Sequence, residues 1–295
     1  MYEAFFGLKE KPFTILPDPS FLYLSRQHSM ALDLVEYGLM NQAGFNVITG
    51  EIGTGKTTLI RFILNQMDRD VSVGLISNTF LGFDELLQWI LYAFKLDYRA
   101  KGKVEMYETF VDFLTAQYAG NRSTVLIVDE AQNMSVETLE QLRMLSNINA
   151  DKDQVLQMIL VGQAGLRETL RRPELEQFAQ RIAVDFHLEP LDVQETRGYI
   201  RHRLKMAGAT NPDIFEETAC HAVFRHSGGI PRVVNLLCDT ALVYAYAEGR
   251  HNIDAALINA VAQDKAKGGL FKPANQITAV PKPVPGVFGA TPGKS

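Results

Sequence analysis

One short segment constrains the fold more than any other feature of this 295-residue sequence. Residues 50–57 read GEIGTGKT, a full match to the pattern G-x-x-x-x-G-K-[ST]. The apolar run FNVIT precedes the segment and the helix-forming run TTLIRFIL follows it, which is the strand–loop–helix setting that this pattern requires. The sequence therefore predicts a phosphate-binding loop between a strand and a helix.

The residue types of this loop fit a nucleoside triphosphate. Its glycines let the backbone turn so that N–H groups point at phosphate oxygens, at the positive end of the following helix. Lys56 is expected to neutralise the β- and γ-phosphates, and the Thr57 hydroxyl to bind Mg²⁺. We predict these nucleotide-binding residues in the loop: Gly50, Glu51, Ile52, Gly53, Thr54, Gly55, Lys56, Thr57 and Thr58.

Short apolar runs alternate with amphipathic segments between residues 40 and 190. Several of the runs lack alternation, which indicates strands buried on both faces in a parallel sheet. Repeated strand–helix–strand units must wind right-handed, so we predict a doubly wound α/β domain. Its predicted strands are 45–49, 71–76, 124–129, 156–161 and 182–187, and its predicted helices include 57–67, 84–94, 106–118 and 136–147.

Two acidic residues follow the third predicted strand. Residues 124–130 read TVLIVDE, which places Asp129 at the carboxyl end of a buried strand and Glu130 directly after it. A Mg²⁺ ion held by one hydroxyl and by phosphate oxygens still needs a carboxylate from a neighbouring strand, and we assign Asp129 to the metal together with Thr57. Glu130 is expected to point toward the γ-phosphate and to polarise the attacking water as general base.

The flanking regions differ from this α/β block, which we assign to residues 28–190. Residues 1–27 are rich in Phe, Pro and Tyr and are expected to form an arm that packs on the core. Residues 191–265 read as helices only, and residues 266–295, with five Pro and five Gly, as a disordered tail. Four helix starts are predicted from capping-box spacing, a Gly-Gly turn before proline, and an N-cap aspartate: Asp192 with Glu195, Asp213 with Glu216, Pro231, and Asp254.

Charge and cysteine usage restrict the partners and the compartment. The net charge is −5, and because the last 30 residues contribute +4, the preceding 265 carry −9. An acidic body argues against broad binding of duplex phosphates by a monomer. One predicted helix face, Arg197, Arg201 and Lys205, is either a solvated face or a nucleic-acid stripe. The two cysteines, Cys220 and Cys238, lack metal-site spacing, and we expect buried thiols in a reducing compartment.

We predict neither a secretory signal nor a membrane-spanning segment in this sequence. The N-terminus has no basic region followed by an apolar run, so we do not expect a secretory signal. The longest apolar stretch, residues 233–247, is interrupted by polar residues and is too short to span a bilayer. We therefore expect no transmembrane segment, and contact of the basic tail with anionic lipid stays an open alternative.

Several phrases together resemble a known family. GEIGTGKT, LIVDEAQ, a polar residue after the fourth strand, a late arginine and a Gly-x-Pro-Arg segment resemble an AAA+ ATPase. More narrowly, YEAFFGLKEKPF, PDPSFLYLS, LIVDEAQNMS, ILVGQAGLRETL and SGGIPRVVN resemble the cytoplasmic ATPase module of the general secretion pathway protein A family (ExeA-like), over about residues 1–265. The resemblance implies a P-loop NTPase of the AAA+ type, with a parallel sheet flanked by helices and a small all-helical lid domain after it.

The resemblance also implies roles for four more residues. Gln163 falls at the sensor-1 position, where its side chain would hydrogen-bond the water or the γ-phosphate. Arg181 falls at the arginine-finger position, which acts on the nucleotide of a neighbouring subunit, and Arg171 and Arg172 remain alternatives for that role. Arg232 falls at the sensor-2 position at the start of a lid helix.

Two functions remain open on this basis. The resemblance implies a homo-oligomeric ATPase, a ring or filament that uses ATP and Mg²⁺ to assemble or remodel a secretion or cell-envelope system, with an envelope protein as partner. It would be cytoplasmic or peripheral at the inner membrane. Unlike longer members of the family, the sequence lacks a transmembrane helix and a periplasmic peptidoglycan-binding part, so anchoring and cell-wall binding are not expected. The alternative is a DNA-binding regulator that resembles the ATPases of transposition (TniB- and TnsC-like).

Overall fold

A computed structural model of the chain describes residues 1–67, 70–77, 85–150 and 153–268. The described ranges contain these strands: β1 Phe45–Gly50, β2 Val71–Ile76, β3 Ser123–Val128, β4 Asn149–Ala150, β5 Asp153–Gln154, β6 Gln157–Gly162 and β7 Ile182–Leu188. Five of the strands form one parallel sheet in the order β2-β3-β6-β1-β7, and β4 pairs with β5 in a separate antiparallel ladder.

The five predicted strands are confirmed, each within one residue at either end. Every residue of β1 and β6 is buried, as is all of β3 after its first residue. These central strands are covered on both faces, which explains why their sequences are apolar without alternation. The short ladder of β4 and β5 was not predicted, because two-residue strands carry no periodic signal.

Helices cover both faces of the sheet and form the C-terminal region. Helix α1 begins after Ser25, whose hydroxyl oxygen accepts a hydrogen bond from the main chain of His28. The α-helices of the described residues are α1 Arg26–Met40, α2 Lys56–Gln66, α3 Leu86–Ala93, α4 Lys103–Ala119, α5 Val136–Leu145, α6 Ala164–Leu170, α7 Glu176–Ala179, α8 Val193–Met206, α9 Glu217–Ser227, α10 Pro231–Ala247 and α11 Ala255–Lys267.

The predicted helices are present with shifted ends, and three of the described helices were not predicted. Helices α2, α4 and α5 lie on the predicted segments 57–67, 106–118 and 136–147. Helix α3 lies within 84–94, of which residue 84 falls outside the described residues. The helices that were not predicted are α1, the seven-residue α6 and the four-residue α7.

Three of the four predicted helix starts in the C-terminal region are confirmed. Asp192 and Glu195 form a capping box, Pro231 is the first residue of α10, and Asp254 caps α11. The predicted start at Asp213 is wrong, because α9 begins at Glu217. The chain before α9 is held extended by a bridge between Phe215 and Ile253, so a helix cannot begin at Asp213.

The C-terminal helices α8–α11, which we call the lid, share their apolar core with the N-terminal arm. Aromatic side chains of the arm, among them Tyr2, Phe6, Phe13 and Phe21, are buried with those of the lid helices. Phe13 meets Phe215 edge to face at a centroid distance of 5.7 Å. The two faces of the sheet have separate cores, one beneath α1 and α2 and one beneath α3, α4 and α5. The arm therefore completes the core of the lid and leaves the cores of the sheet to its own helices.

The two cysteines are buried in the lid as free thiols. Burial raises the pKa of Cys220 to about 11, so this thiol is unreactive at neutral pH. None of the described helices has the combination of length and apolar character that a bilayer span needs. Helix α11 runs to Lys267, two residues into the predicted tail, and residues 269–295 of that tail lie outside the described residues.

Candidate nucleotide-binding site

Except for Arg181, the predicted site residues converge on the carboxyl edge of the sheet. Strands β3, β6 and β1 are neighbours and run parallel, so the loops that follow them open onto the same crevice. This crevice is a cavity of about 390 Å³ lined by the loop after β1, by Glu130 after β3 and by Gln163 after β6. Arg232 of the lid and arm residues between Thr14 and Tyr23 complete its wall.

The loop after β1 needs glycine at two positions. Gly53 and Gly55 have φ values of +87° and +103°, a region that residues with a Cβ rarely adopt. A Cβ at Gly53 would lie 2.6 Å from the Cβ of Arg232, and one at Gly55 would lie 3.0 Å from Nε2 of His28. The loop is therefore held between the lid and α1, and its path excludes larger residues. Gly55 offers no side-chain cap to α2, which leaves N–H groups at that helix end for an anion.

Lys56 lies inside the loop that it follows. Its Nζ donates hydrogen bonds of 2.8 Å to the carbonyl oxygens of Gly50 and Glu51, and the residue is 8% exposed. Burial lowers the pKa of Lys56, and the nearby carboxylates, Glu130 foremost, oppose this shift. The ammonium group is thus oriented by carbonyls at the wall of the cavity, where its charge favours an anionic ligand.

Thr57 and Asp129, the two predicted metal ligands, are in contact. The Thr57 hydroxyl donates to Oδ2 of Asp129 at 3.0 Å. Burial raises the pKa of Asp129, and hydrogen bonds from Thr57 and from the main chain of Glu130 oppose the rise. A hydroxyl beside a buried carboxylate is the hard oxygen donor set that Mg²⁺ binds together with phosphate and water oxygens, so these residues fit the predicted ion.

Glu130 and Gln163 meet across the ends of β3 and β6. Glu130 has a left-handed backbone with φ +57°, and its Oε2 accepts hydrogen bonds from Nε2 of Gln132 at 2.5 Å and of Gln163 at 3.4 Å. The main-chain N–H of Gln163 donates to Oε1 of Gln132 at 3.0 Å. Gln132 was not among the predicted site residues, although it belongs to the phrase LIVDEAQ.

The lid reaches the loop through the first turn of α10. The main-chain N–H of Arg232 donates to the carbonyl of Gly53 at 3.2 Å, and the Arg232 side chain lines the cavity. The position predicted for this residue, a lid helix start beside the loop, is therefore where the structure has it.

His28 supports the loop from α1 and was also missed. Its Nε2 lies 3.2 Å from the carbonyl oxygen of Thr54 and its Nδ1 lies 2.8 Å from Oγ of Ser25. Burial lowers the pKa of His28, which favours a neutral ring that accepts from Ser25 and donates to Thr54. The loop motif itself carries no signal for this residue, because His28 comes from another element.

The arm closes the end of the cavity away from the phosphate loop. Arg203 of α8, which is 5% exposed, donates to the carbonyl of Pro12 at 2.6 Å and lies 4.6 Å from the ring centre of Phe21. Asn235 of α10 donates to the carbonyl of Thr14 at 3.0 Å. These contacts fix the arm on the lid, so that the cavity has a polar phosphate end and an end walled by arm residues. The partners of Arg203 are about 190 residues away in sequence, beyond any local pattern.

The structure does not bring the three candidate finger arginines to the cavity. Arg181 directly precedes β7, and its Nη1 donates to Oγ of Ser146 at 2.8 Å. Phe45 pairs with Ile182 at the amino edge of the sheet, so Arg181 lies roughly 17 Å from the opposite edge that carries the loop. Arg171 and Arg172 are exposed beyond the end of α6, which carries the chain about 10 Å away from Gln163.

Carboxylates pair with two residues of the basic stripe on α8. Arg197 lies 3.1 Å from Glu217, and Arg201 lies 3.0 Å from Asp213. The first pair links α8 to the first residue of α9, and the second links α8 to the segment that leads into α9. The positive charge available to a nucleic acid is thereby reduced on this face.

Comparisons with known proteins agree with this geometry. Residues 39–170 match the AAA domain family. The chain is 44% identical to general secretion pathway protein A of Aeromonas hydrophila over 254 residues. This matched stretch covers 86% of this chain and 46% of that protein. The chain thus spans slightly less than half the length of this curated relative.

Solved structures with low identity share the fold. The Aeropyrum pernix ORC2 protein, solved as ADPNP–ADP complexes, is 18% identical, with 83% of this chain and 71% of that chain covered and a TM-score of 0.62. Drosophila ORC bound to DNA is 15% identical, with coverages of 88% and 65% and a TM-score of 0.62. The Thermotoga maritima RuvB Holliday junction branch migration motor is 16% identical, with coverages of 85% and 73% and a TM-score of 0.53. The predicted fold class, a parallel sheet flanked by helices and followed by a helical lid, is confirmed.

Proposed function

We propose that this chain, which carries an AAA domain and is related to general secretion pathway protein A, is an enzyme that hydrolyses ATP to ADP and phosphate. The observation that carries this proposal is the convergence of Lys56, the Thr57–Asp129 pair and Glu130 on one cavity. Each group comes from the carboxyl edge of the sheet, where α/β proteins bind nucleotides.

The residues divide the work along the cavity. The loop N–H groups and Lys56 bind the phosphates, and Thr57 and Asp129 hold Mg²⁺. When bound, the metal neutralises charge on the β- and γ-phosphates. Glu130 accepts a proton from the water that attacks the γ-phosphorus. Gln163, beside it, orients that water or the γ-phosphate through a hydrogen bond. Arg232 stabilises phosphate charge from the lid. The arm residues beside Thr14 form the wall at the other end of the cavity, which binds the adenine base of the nucleotide.

Assembly follows from the position of Arg181. A guanidinium at the amino edge of the sheet is too far from the nucleotide of its own subunit, so we assign it to the nucleotide of a neighbour in a ring or filament. We expect larger particles with a non-hydrolysable ATP analogue than with ADP, measured by light scattering at micromolar protein. A monomer under every nucleotide condition would contradict both the assembly and the finger role of Arg181.

The biological role that we favour is assembly or remodelling of a secretion or cell-envelope system. It is supported by the 44% identity to a protein named for the general secretion pathway, and we place this work at the cytoplasmic face of the inner membrane. The transposition alternative depends on DNA binding, and the salt bridges of Arg197 and Arg201 weaken it. Stimulation of ATP hydrolysis by duplex DNA that declines with added salt would favour the alternative; we expect no stimulation.

The ATPase proposal is tested by removing the loop cation. We expect Lys56→Ala to lose ATP binding and hydrolysis, because the variant lacks the ammonium group that faces the phosphates. Lys205→Ala, which removes an exposed lysine of α8, is the matched control and should retain both. Equilibrium binding of a fluorescent ATP analogue and release of phosphate measure the two properties. A Lys56→Ala protein that turns over ATP like wild type would contradict the proposal.

A further inference from the structure

A single side-chain amide joins the carboxylate of Glu130, the predicted general base, to Gln163, the residue that follows β6. Gln132 lies in the turn Ala131–Asn133 directly after Glu130. Its Nε2 donates to Oε2 of Glu130 at 2.5 Å, while its Oε1 accepts from the main-chain N–H of Gln163 at 3.0 Å. One residue therefore contacts both the carboxylate after β3 and the backbone after β6.

The packing at this point leaves little room for another arrangement. A Cβ at Gly162, the last residue of β6, would lie 2.9 Å from Oε1 of Gln132 and 3.2 Å from its main-chain nitrogen. The glycine permits the turn after β3 to lie directly against the end of β6. The Gln132 amide is consequently held between two fixed segments of backbone.

We propose that Gln132 is a positioning residue for hydrolysis, which holds the Glu130 carboxylate toward the attacking water and fixes it relative to the end of β6. This inference rests on the proposed ATPase function and deepens it. A glutamate has several rotatable bonds, and a base that is displaced by about 1 Å can lose two orders of magnitude in rate. A donor held by a second hydrogen bond restricts that motion.

Glutamine is the side chain that this position requires. The carboxylate needs a donor and the Gln163 N–H needs an acceptor, and an amide provides both at the end of one stem. A methionine has similar length and neither group. An asparagine keeps the amide, but its stem is one carbon shorter and cannot span both partners.

The first test separates turnover from binding. We expect Gln132→Met to lower kcat at least about tenfold and kcat/KM by the same factor, since a positioning contact acts on the transition state. The dissociation constant for ATP should stay within about twofold of wild type. Gln177→Met, on the exposed surface of α7, is the control and should change neither. Turnover of Gln132→Met within twofold of wild type would overturn the proposal, and Gln132→Asn, with the same expected loss, replaces it if the methionine variant does not fold.

The second test asks whether Gln132 acts through Glu130. In a Glu130→Gln background, the added Gln132→Met substitution should leave the residual rate unchanged, because the group that it positions is already gone. An equal loss in both backgrounds would assign Gln132 a structural role and overturn the proposal.

A third readout is independent of catalysis. In crystals of nucleotide-free Gln132→Met protein, the Glu130 carboxylate should leave its place beside Gln163, and an unchanged carboxylate would overturn the inference. If wild-type protein hydrolyses no ATP, the proposed function fails, while the crystal structure still decides whether Gln132 holds Glu130.

Discussion

The sheet edge and the lid contribute to one cavity in different ways. The sheet edge supplies Lys56 and Thr57 from one motif and Asp129 and Glu130 from another, so that its chemical groups are neighbours in sequence. The lid supplies Arg232 and holds the arm through Arg203, whose contacts lie about 190 residues away. The phosphate chemistry is thus encoded locally, whereas the opposite wall of the cavity depends on long-range packing.

The two regions also treat buried charge differently. At the sheet edge, burial lowers the pKa of Lys56 and raises that of Asp129, so burial disfavours the charged form of each group, a cost that a bound nucleotide and metal would offset. In the lid, carbonyl oxygens and an aromatic ring already surround the guanidinium of Arg203. Substitutions at the sheet edge should therefore affect activity, and substitutions in the lid should affect stability.

The largest expected effect on activity is that of substituting Arg181, and it tests the division between the two regions. Arg181 belongs to the sheet region but lies at the edge of the sheet opposite the loop. We expect Arg181→Ala to bind ATP nearly as well as wild type and to hydrolyse it on the order of 10³-fold more slowly, since a finger stabilises charge in the transition state. Ser146→Ala, which removes the hydroxyl that Arg181 contacts, should retain activity. Single-turnover rates at saturating ATP measure both.

Mixing decides whether Arg181 acts on a neighbour. Co-assembled Arg181→Ala and Glu130→Gln subunits form some composite sites that have both a base and a finger. Part of the activity should therefore return on mixing, and Arg181→Ala mixed with Lys56→Ala should behave in the same way. No recovery in either co-assembled mixture would move the finger to Arg171 or Arg172, or place it in the same subunit.

Gly53 is the point where the two regions touch, and its substitution should be the next most damaging. We expect Gly53→Ala to weaken ATP binding at least about tenfold, because a Cβ strains the φ of +87° and collides with Arg232. Gly165→Ala is the matched control, since a Cβ there would meet no atom within 4 Å. Equal ATP affinity in the two variants would show that the contact between loop and lid is dispensable.

Arg203 sharpens the comparison from the side of the lid. Replacing it with leucine leaves the carbonyl of Pro12 without its charged donor, and we expect a loss of about 2–4 kcal/mol in the free energy of unfolding. Arg201→Leu, which breaks only a partly exposed pair with Asp213, should cost less than about 1 kcal/mol. Urea unfolding followed by circular dichroism compares the two, and similar costs would contradict the role of Arg203.

The smallest expected effect is a pH dependence that links α1 to the loop. Burial lowers the pKa of His28 below its unfolded value of 6.5, so the unfolded chain binds more protons in that range. Its contribution should be fully present above about pH 6.5 and should decline as the pH falls below that value. We expect His28→Gln to lose less stability than wild type between pH 7.5 and 5.5, measured by thermal unfolding. Identical pH dependence of stability in both proteins would contradict the inference that the folded protein holds the His28 ring in its neutral form.

The same contrast explains what could be predicted from the sequence. The central strands β1, β3 and β6 were predicted within one residue because both of their faces are buried and their sequences are continuously apolar. The loop was predicted because its motif is contiguous. The predicted helix start at Asp213 was wrong because a bridge between Phe215 and Ile253, which lie 38 residues apart, holds the chain extended. Local spacing does not report such a partner.

The missed site residues have a common cause. His28, Gln132 and Arg203 act through contacts with main-chain atoms of other segments. Main-chain acceptors and donors are present at every residue, so no residue type in the partner segment marks the contact. Only the three-dimensional arrangement brings these side chains to their main-chain partners.

The most direct measurement of the central claim is a single-turnover experiment on Glu130→Gln. Bound ATP is counted at the start, and released phosphate is followed with Mg²⁺ present. We expect the variant to bind ATP like wild type and to hydrolyse it at least about 10²-fold more slowly, because the attacking water has lost its base. Phosphate release at the wild-type rate would contradict the assignment of the chemistry to this edge of the sheet.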